Sequence, residues 1–175
     1  MEQTKTTAFR YAIKWGAIIG LSWITITLVK FLTHQAENKY WEYPVMLVIA
    51  VGIGYLIKNY RLTYSDGNIS FGKAFILCFQ IYLYATILCT IFSLSYIHYL
   101  MPHTFDIAIE HSKQELIKKG MSDDQIANAM KITKLTLSPY VQFFVGILSG
   151  AFIGAIISLI VAAITKKEKP ETVTE

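Results

Sequence analysis

Charge is scarce in this 175-residue chain. Asp, Glu, Lys and Arg make up 16% of it, against about 25% in an average soluble domain. With hydrophobic residues at 54%, so little charge argues against a water-facing globule and points to a chain whose partner is the lipid bilayer. Cysteine is nearly missing too, and Cys78 and Cys89 fall in one apolar run. The intervening stretch of helix would hold them roughly 16 Å apart, too far for a disulfide. They read as small buried apolar residues and carry no information about redox compartment. Sequence patterns of catalysis and cofactor binding are absent: no Gly-rich phosphate loop, no nucleophile elbow, no paired Cys-x-x-Cys and no HExxH. A non-enzymatic protein without cofactor is therefore expected. The net charge of +4 does not signal a nucleic-acid face, because the cations flank the apolar runs instead of clustering.

Four apolar runs are present, with spans expected at about 12–32, 41–60, 74–99 and 140–165. In the first, no charge interrupts Trp15 to Val29, and the sequence after it offers no A-x-A cleavage pattern, so it reads as a retained helix and not a signal peptide. The second has the shortest unbroken core, Pro44 to Ile57, with Tyr40, Trp41, Tyr43, Tyr55 and Tyr60 available as interfacial belts. Pro44 falls in a first helical turn, where its missing N–H costs little. The fourth opens with Ser138 as N-cap and Pro139 at the first helical position, and ends at Lys166 and Lys167. None of the runs alternates polar and apolar residues as a barrel strand would. Helices are therefore the way to satisfy their backbone in lipid.

Threading follows from the basic residues. Lys5, Arg10 and Lys14, then Lys58, Arg61 and Lys73, then Lys166, Lys167 and Lys169 would share one side, whereas the opposite short loop carries Lys30 and Lys39. The positive-inside rule puts both termini in the cytoplasm of a multi-pass inner-membrane protein.

Between the third and fourth runs lies a charged insert, 102–138, expected to form a helical hairpin on the outer side. In "GMSDDQI" Gly120 suits the left-handed position after a helix ending in Lys118 and Lys119. Ser122 with Gln125 forms a capping box, Met121 and Ile126 occupy staple positions, and Asp123 and Asp124 sit in a first turn. Phe105, Ala108, Ile109, Ser112 and Leu116 share one face of the first helix; Ile126, Ala129, Met130, Thr133 and Leu137 share one face of the second.

The candidate functional residues are small ones. Gly146, Gly150, Gly154 and Ser158 recur every four residues, and Gly16 and Gly20 repeat the spacing in the first run. Such faces let helix backbones approach closely, within a chain or between copies. No ionisable residue lies deep in a run, which argues against a proton- or ion-coupled pump. Gln80, Ser93 and Ser149 are the polar side chains that a small transporter or channel would use. Four histidines are present, His34, His98, His103 and His111. His103, Asp106 and Glu110 could share a face, but such spacings arise often by chance and no metal site is expected.

"DGNISFGKAF" (Asp66 to Phe75), "YIHYLMPHTFDIAIEHSKQELIKKGMSDDQI" and a glycine-bearing last helix ending "SLIVAAITKKE" together resemble the domain of unknown function 4199 family, small multi-pass membrane proteins found mainly in the Bacteroidetes. The resemblance covers most of the chain. It implies an integral inner-membrane protein and no particular activity or site. The expected architecture is all-α, a four-helix transmembrane bundle with an extramembrane helical hairpin between its third and fourth helices, forming a single membrane domain over 1–175. The expected function is that of a structural or accessory component that associates with itself or another membrane protein. A small transporter or channel is the alternative, and an enzyme acting on lipid or cell-wall precursors has least in its favour.

Overall fold

The computed structural model describes residues 2–33, 42–100 and 103–167. Within them the protein is all-α, with six helices: α1 (Glu2–Leu32), α2 (Glu42–Tyr64), α3 (Phe71–Leu100), α4 (His103–Lys118), α5 (Asp123–Thr136) and α6 (Pro139–Thr165). Four of these, α1, α2, α3 and α6, are long and apolar enough to cross a membrane. The helices outrun the expected spans at the basic ends. α1 begins ten residues before Ala12, α2 continues past Tyr60, and α3 starts at Phe71 rather than Ala74. Polar residues can extend a helix into the headgroup zone, where water satisfies what lipid cannot. Tyr40, Trp41, His34, Lys39 and Lys169 lie outside the described residues, as do the side chains of Lys5, Glu42 and Tyr43.

The chain divides into two compact units, one of residues 1–89 with 149–175 and one of residues 90–148. In the first, α1, α2 and the adjoining parts of α3 and α6 pack around Ala12, Ile53, Ile57, Ala74, Cys78, Ile81, Ser158 and Ala162, all fully or almost fully buried. Contacts give the helix directions. Gly16 faces Tyr84 and Gly20 faces Leu88, so α1 and α3 run parallel. Gly54 approaches Val161, and Arg61 Nη1 donates to the Thr165 carbonyl at 2.9 Å, so α2 and α6 run parallel. Tyr82 faces Gly154 and Thr86 faces Gly150, which makes α3 antiparallel to α6. The result is an up–down–up–down bundle in which the start of α1 and the end of α6 share one end of the unit.

That end is tied together by polar backbone contacts. α2 stops where Asp66 (φ 48) and Gly67 (φ 76) turn left-handed, with Gly67 N–H donating to the Arg61 carbonyl at 3.0 Å. The loop then pairs with the chain leaving α6: Ile69 N–H donates to the Lys167 carbonyl at 2.8 Å and Lys167 N–H to the Ile69 carbonyl at 2.9 Å. An aromatic cluster lies beside it. Tyr60, expected in an interfacial belt, is buried instead, its ring edge-on to Tyr11 at 5.0 Å. Tyr11 also packs against Tyr64 and donates its hydroxyl to the Leu56 carbonyl at 2.9 Å. Edge-to-face pairs contribute about 0.5–1.5 kcal/mol beyond burial, which favours the interior for Tyr60. Tyr55 keeps the outward position, 69% exposed.

In the second unit α4 and α5 pack against each other. The ten residues assigned to their inner faces, from Phe105 to Leu116 and from Ile126 to Leu137, are all half-buried, while their helical neighbours are exposed. α4 ends in a Schellman motif: Gly120 (φ 70) donates to the Ile117 carbonyl at 2.9 Å, and Met121 to the Leu116 carbonyl at 3.3 Å. At the start of α5 the Gln125 half of the capping box is well formed, with Ser122 N–H donating to Gln125 Oε1 at 3.0 Å. The Ser122 hydroxyl faces the Gln125 amide with poorer geometry, short of a cap hydrogen bond.

Hydrogen exchange over the hairpin should therefore respond unequally to substitution. Ser122→Ala should cost only about 0.5 kcal/mol, the low end for loss of a cap. Gly120→Val should cost more than about 1–2 kcal/mol, because a β-branched residue is forced into the left-handed region. Equal loss of protection in the two variants would contradict this account of the turn.

Candidate functional site

The small-residue face of α6 is the feature the sequence singles out, and it lies against α3. In the first unit, a Cβ added to Gly154 would run into the ring of Tyr82, and one added to Gly150 would run into Thr86 Cγ2. One turn further in the core Ser158 is fully buried and the Cys78 thiol faces its hydroxyl. In the second unit, a Cβ on Gly146 would sit 3.0 Å from Thr90 Cγ2. Each step of four along α3, from Cys78 through Tyr82 and Thr86 to Thr90, is matched by four steps back along α6. Both helices repeat at i+4, so an antiparallel pair keeps its contacts on one stripe.

The opposite face of α6 is made of large apolar side chains. Phe144 and Leu148, then Phe152, Ile160 and Ile164, are all exposed, Phe152 to 70%. These side chains suit acyl chains, so one helix presents backbone to protein and bulk to lipid. Gly16 and Gly20 do the same for α1. A Cβ on Gly16 would lie 2.7 Å from Tyr84 Cβ and 2.8 Å from the Ile81 carbonyl oxygen; one on Gly20 would lie 3.0 Å from Leu88 Cδ2 and 3.3 Å from the Ala85 carbonyl oxygen. α3 is thus covered by a glycine-bearing helix on each of two faces. All six small residues, Gly16, Gly20, Gly146, Gly150, Gly154 and Ser158, make their close approaches inside the chain.

The sequence does not single out Tyr82, Thr86 and Thr90 as the receiving surface. Their own i+4 spacing was a usable signal, but nothing local tells which helix covers which. In the sequence Arg61 likewise shows only as a charge. Its side chain reaches across to the last carbonyl of α6, and its Nε is buried with no hydrogen-bond partner among the described residues.

The polar residues that a transport path would use differ in exposure. Gln80 is half-buried in the first unit and Ser149 is exposed there, while Ser93 is exposed in the second. Several spanning-helix hydroxyls turn back on their own helix: Ser22 donates to the Ile18 carbonyl and Thr25 to that of Leu21. Such i−4 bonding satisfies a hydroxyl without a partner helix. On α4, His103 Nδ1 lies 3.9 Å from Asp106 Oδ2, and both side chains are largely exposed. Among the described residues no three His, Cys, Asp or Glu side chains come together as metal ligands would.

Neither the curated proteins nor the solved structures contain a match to this chain. The family model described as "Protein of unknown function (DUF4199)" matches residues 14–167, and the chain belongs to that family.

Proposed function

We propose that the protein is a non-enzymatic accessory component of a bacterial inner membrane, whose α4–α5 hairpin engages a second membrane protein or another copy of this chain. The observation that carries this reading is the outer surface of the hairpin. Ile107, Ile117, Ile132 and Leu135 are all exposed, the last two to 66%, on helices that are not among the four of spanning length and hydropathy. Ile132 and Leu135 lie three residues apart on one exposed face of α5, and an adjacent apolar pair outside the lipid-facing helices supports an interaction surface there. The glycine faces support it indirectly, since they are engaged within the chain and leave association to other surfaces.

A photo-crosslinking residue at Ile132, used in cells, tests the proposal. Crosslinks to a second copy or to a defined membrane protein are expected, and Leu135→Glu should abolish them while leaving the purified protein folded. Crosslinks to lipid alone would end the reading.

The proposed threading places both termini in the cytoplasm and the hairpin outside. It draws support from the bundle end that gathers Arg10, Lys14, Lys58, Arg61, Lys73, Lys166 and Lys167. Reporter fusions after Glu175 and near Asp66 should read as cytoplasmic, and one near Gly120 as exported. Identical reports from the tail and Gly120 would rule out four crossings.

A further inference from the structure

We infer that the basic end of the first unit is a binding surface for anionic phospholipid headgroups. Six cations there are exposed: Arg10 and Lys14 on α1, Lys58 on α2, Lys73 on α3, and Lys166 and Lys167 after α6. Asp66 is the one acidic side chain described in that unit. The cations come from four segments distant in sequence, and the fold brings those segments to one end of the unit. The Tyr11–Leu56 hydrogen bond joins α1 to α2, the Arg61–Thr165 bond joins α2 to α6, and the paired Ile69–Lys167 bonds join the loop before α3 to the chain after α6. A surface assembled this way loses less backbone freedom on binding than a flexible basic tail does.

The neighbours of these cations select a lipid over a soluble anion. Phe9 precedes Arg10, Ile13 precedes Lys14 and Leu62 follows Arg61, and all three apolar side chains are exposed, Leu62 to 60%. Lys14 also lies over the Trp15 ring at 5.7 Å. Cations interleaved with exposed apolar groups match a molecule that carries a phosphate on acyl chains. A free phosphate would answer only the charges. This inference requires that the protein be embedded in a membrane and is independent of any association by the hairpin.

Thermal unfolding of the purified full chain in neutral detergent provides the test, with phosphatidylglycerol, phosphatidylcholine or inorganic phosphate added. Phosphatidylglycerol should raise the melting temperature more than phosphatidylcholine does, and salt should weaken the difference. Inorganic phosphate at the same concentration should leave the melting temperature unchanged. Each neutralised cation should lower the apparent affinity for phosphatidylglycerol about fivefold, so Lys58→Gln/Lys73→Gln should remove most of the selective shift. Lys118→Gln/Lys119→Gln on the hairpin should retain it. Arg10→Gln/Lys14→Gln provides a second variant at the same end should the first fail to fold. Equal stabilisation by the two lipids, reproduction by phosphate alone, or equal loss in the hairpin variant would overturn the inference.

Discussion

Gly16→Ala should lower the melting temperature of the purified protein, even though alanine is the better helix former. In an open helical position the exchange gains about 1 kcal/mol from backbone entropy. At Gly16 the new methyl group would stand 2.8 Å from the Ile81 carbonyl oxygen and 2.7 Å from Tyr84 Cβ. Neither atom is the far end of a flexible side chain, so relief requires α1 and α3 to move apart. Overpacking of this kind costs about 1–3 kcal/mol. For a chain of this size, each kcal/mol corresponds to about 2–4 °C. Gly16→Leu, with three more carbons, should be worse and should reduce the yield of folded protein. Gly52→Ala is the matched control. No atom of the described residues lies within 4 Å of its added Cβ, so the propensity gain should stand unopposed, and its melting temperature should hold or rise. If Gly16→Ala and Gly52→Ala behave alike, close approach of α1 and α3 is not what Gly16 provides.

The second large effect is expected at Gly150, with a rescue. A side chain there collides with the Thr86 methyl group and comes within 3.0 Å of its hydroxyl oxygen. Gly150→Leu should destabilise the protein strongly in detergent, since helices in lipid are held by packing and not by apolar burial. Gly150→Ala is milder, and its obstacle can be removed from the other side. Thr86→Ala deletes both colliding atoms, so Thr86→Ala/Gly150→Ala should be more stable than the sum of the two single effects implies. Light scattering on the same samples should show an unchanged particle size, because the contact is intrachain. Strict additivity in this cycle, or dissociation of an oligomer by Gly150→Leu, would place the Gly150 face against something other than Thr86. Ile157→Leu nearly conserves volume and should stay within about 1.5 kcal/mol.

The spanning helices and the hairpin were legible in the sequence for different reasons. The spans announce themselves by length and by missing charge, since a backbone in lipid has few alternatives to a helix. The hairpin is written in local chemistry. Gly120, Ser122 and Gln125 act within a turn of their own positions, and the inner faces of α4 and α5 follow from a period of 3.6. Short-range signals of this type need no knowledge of the rest of the fold. The small-residue stripe of α6 also shows in the sequence, since its spacing is a property of one helix.

What faces that stripe is a matter of tertiary structure. Gly150 could equally have met a second copy, and only the antiparallel register of α3 and α6 sets it against Thr86. Tyr60 shows the same limit. A tyrosine near a span end suits a membrane interface, yet the Tyr11 ring on another helix draws it into the core. The Arg61–Thr165 and Ile69–Lys167 contacts join segments about a hundred residues apart, and no pattern in either segment specifies the other. Composition and periodicity decide how each segment meets lipid, water and its own backbone. Which segment meets which depends on shape and register among helices that are chemically alike, and that is settled only when all of them pack together.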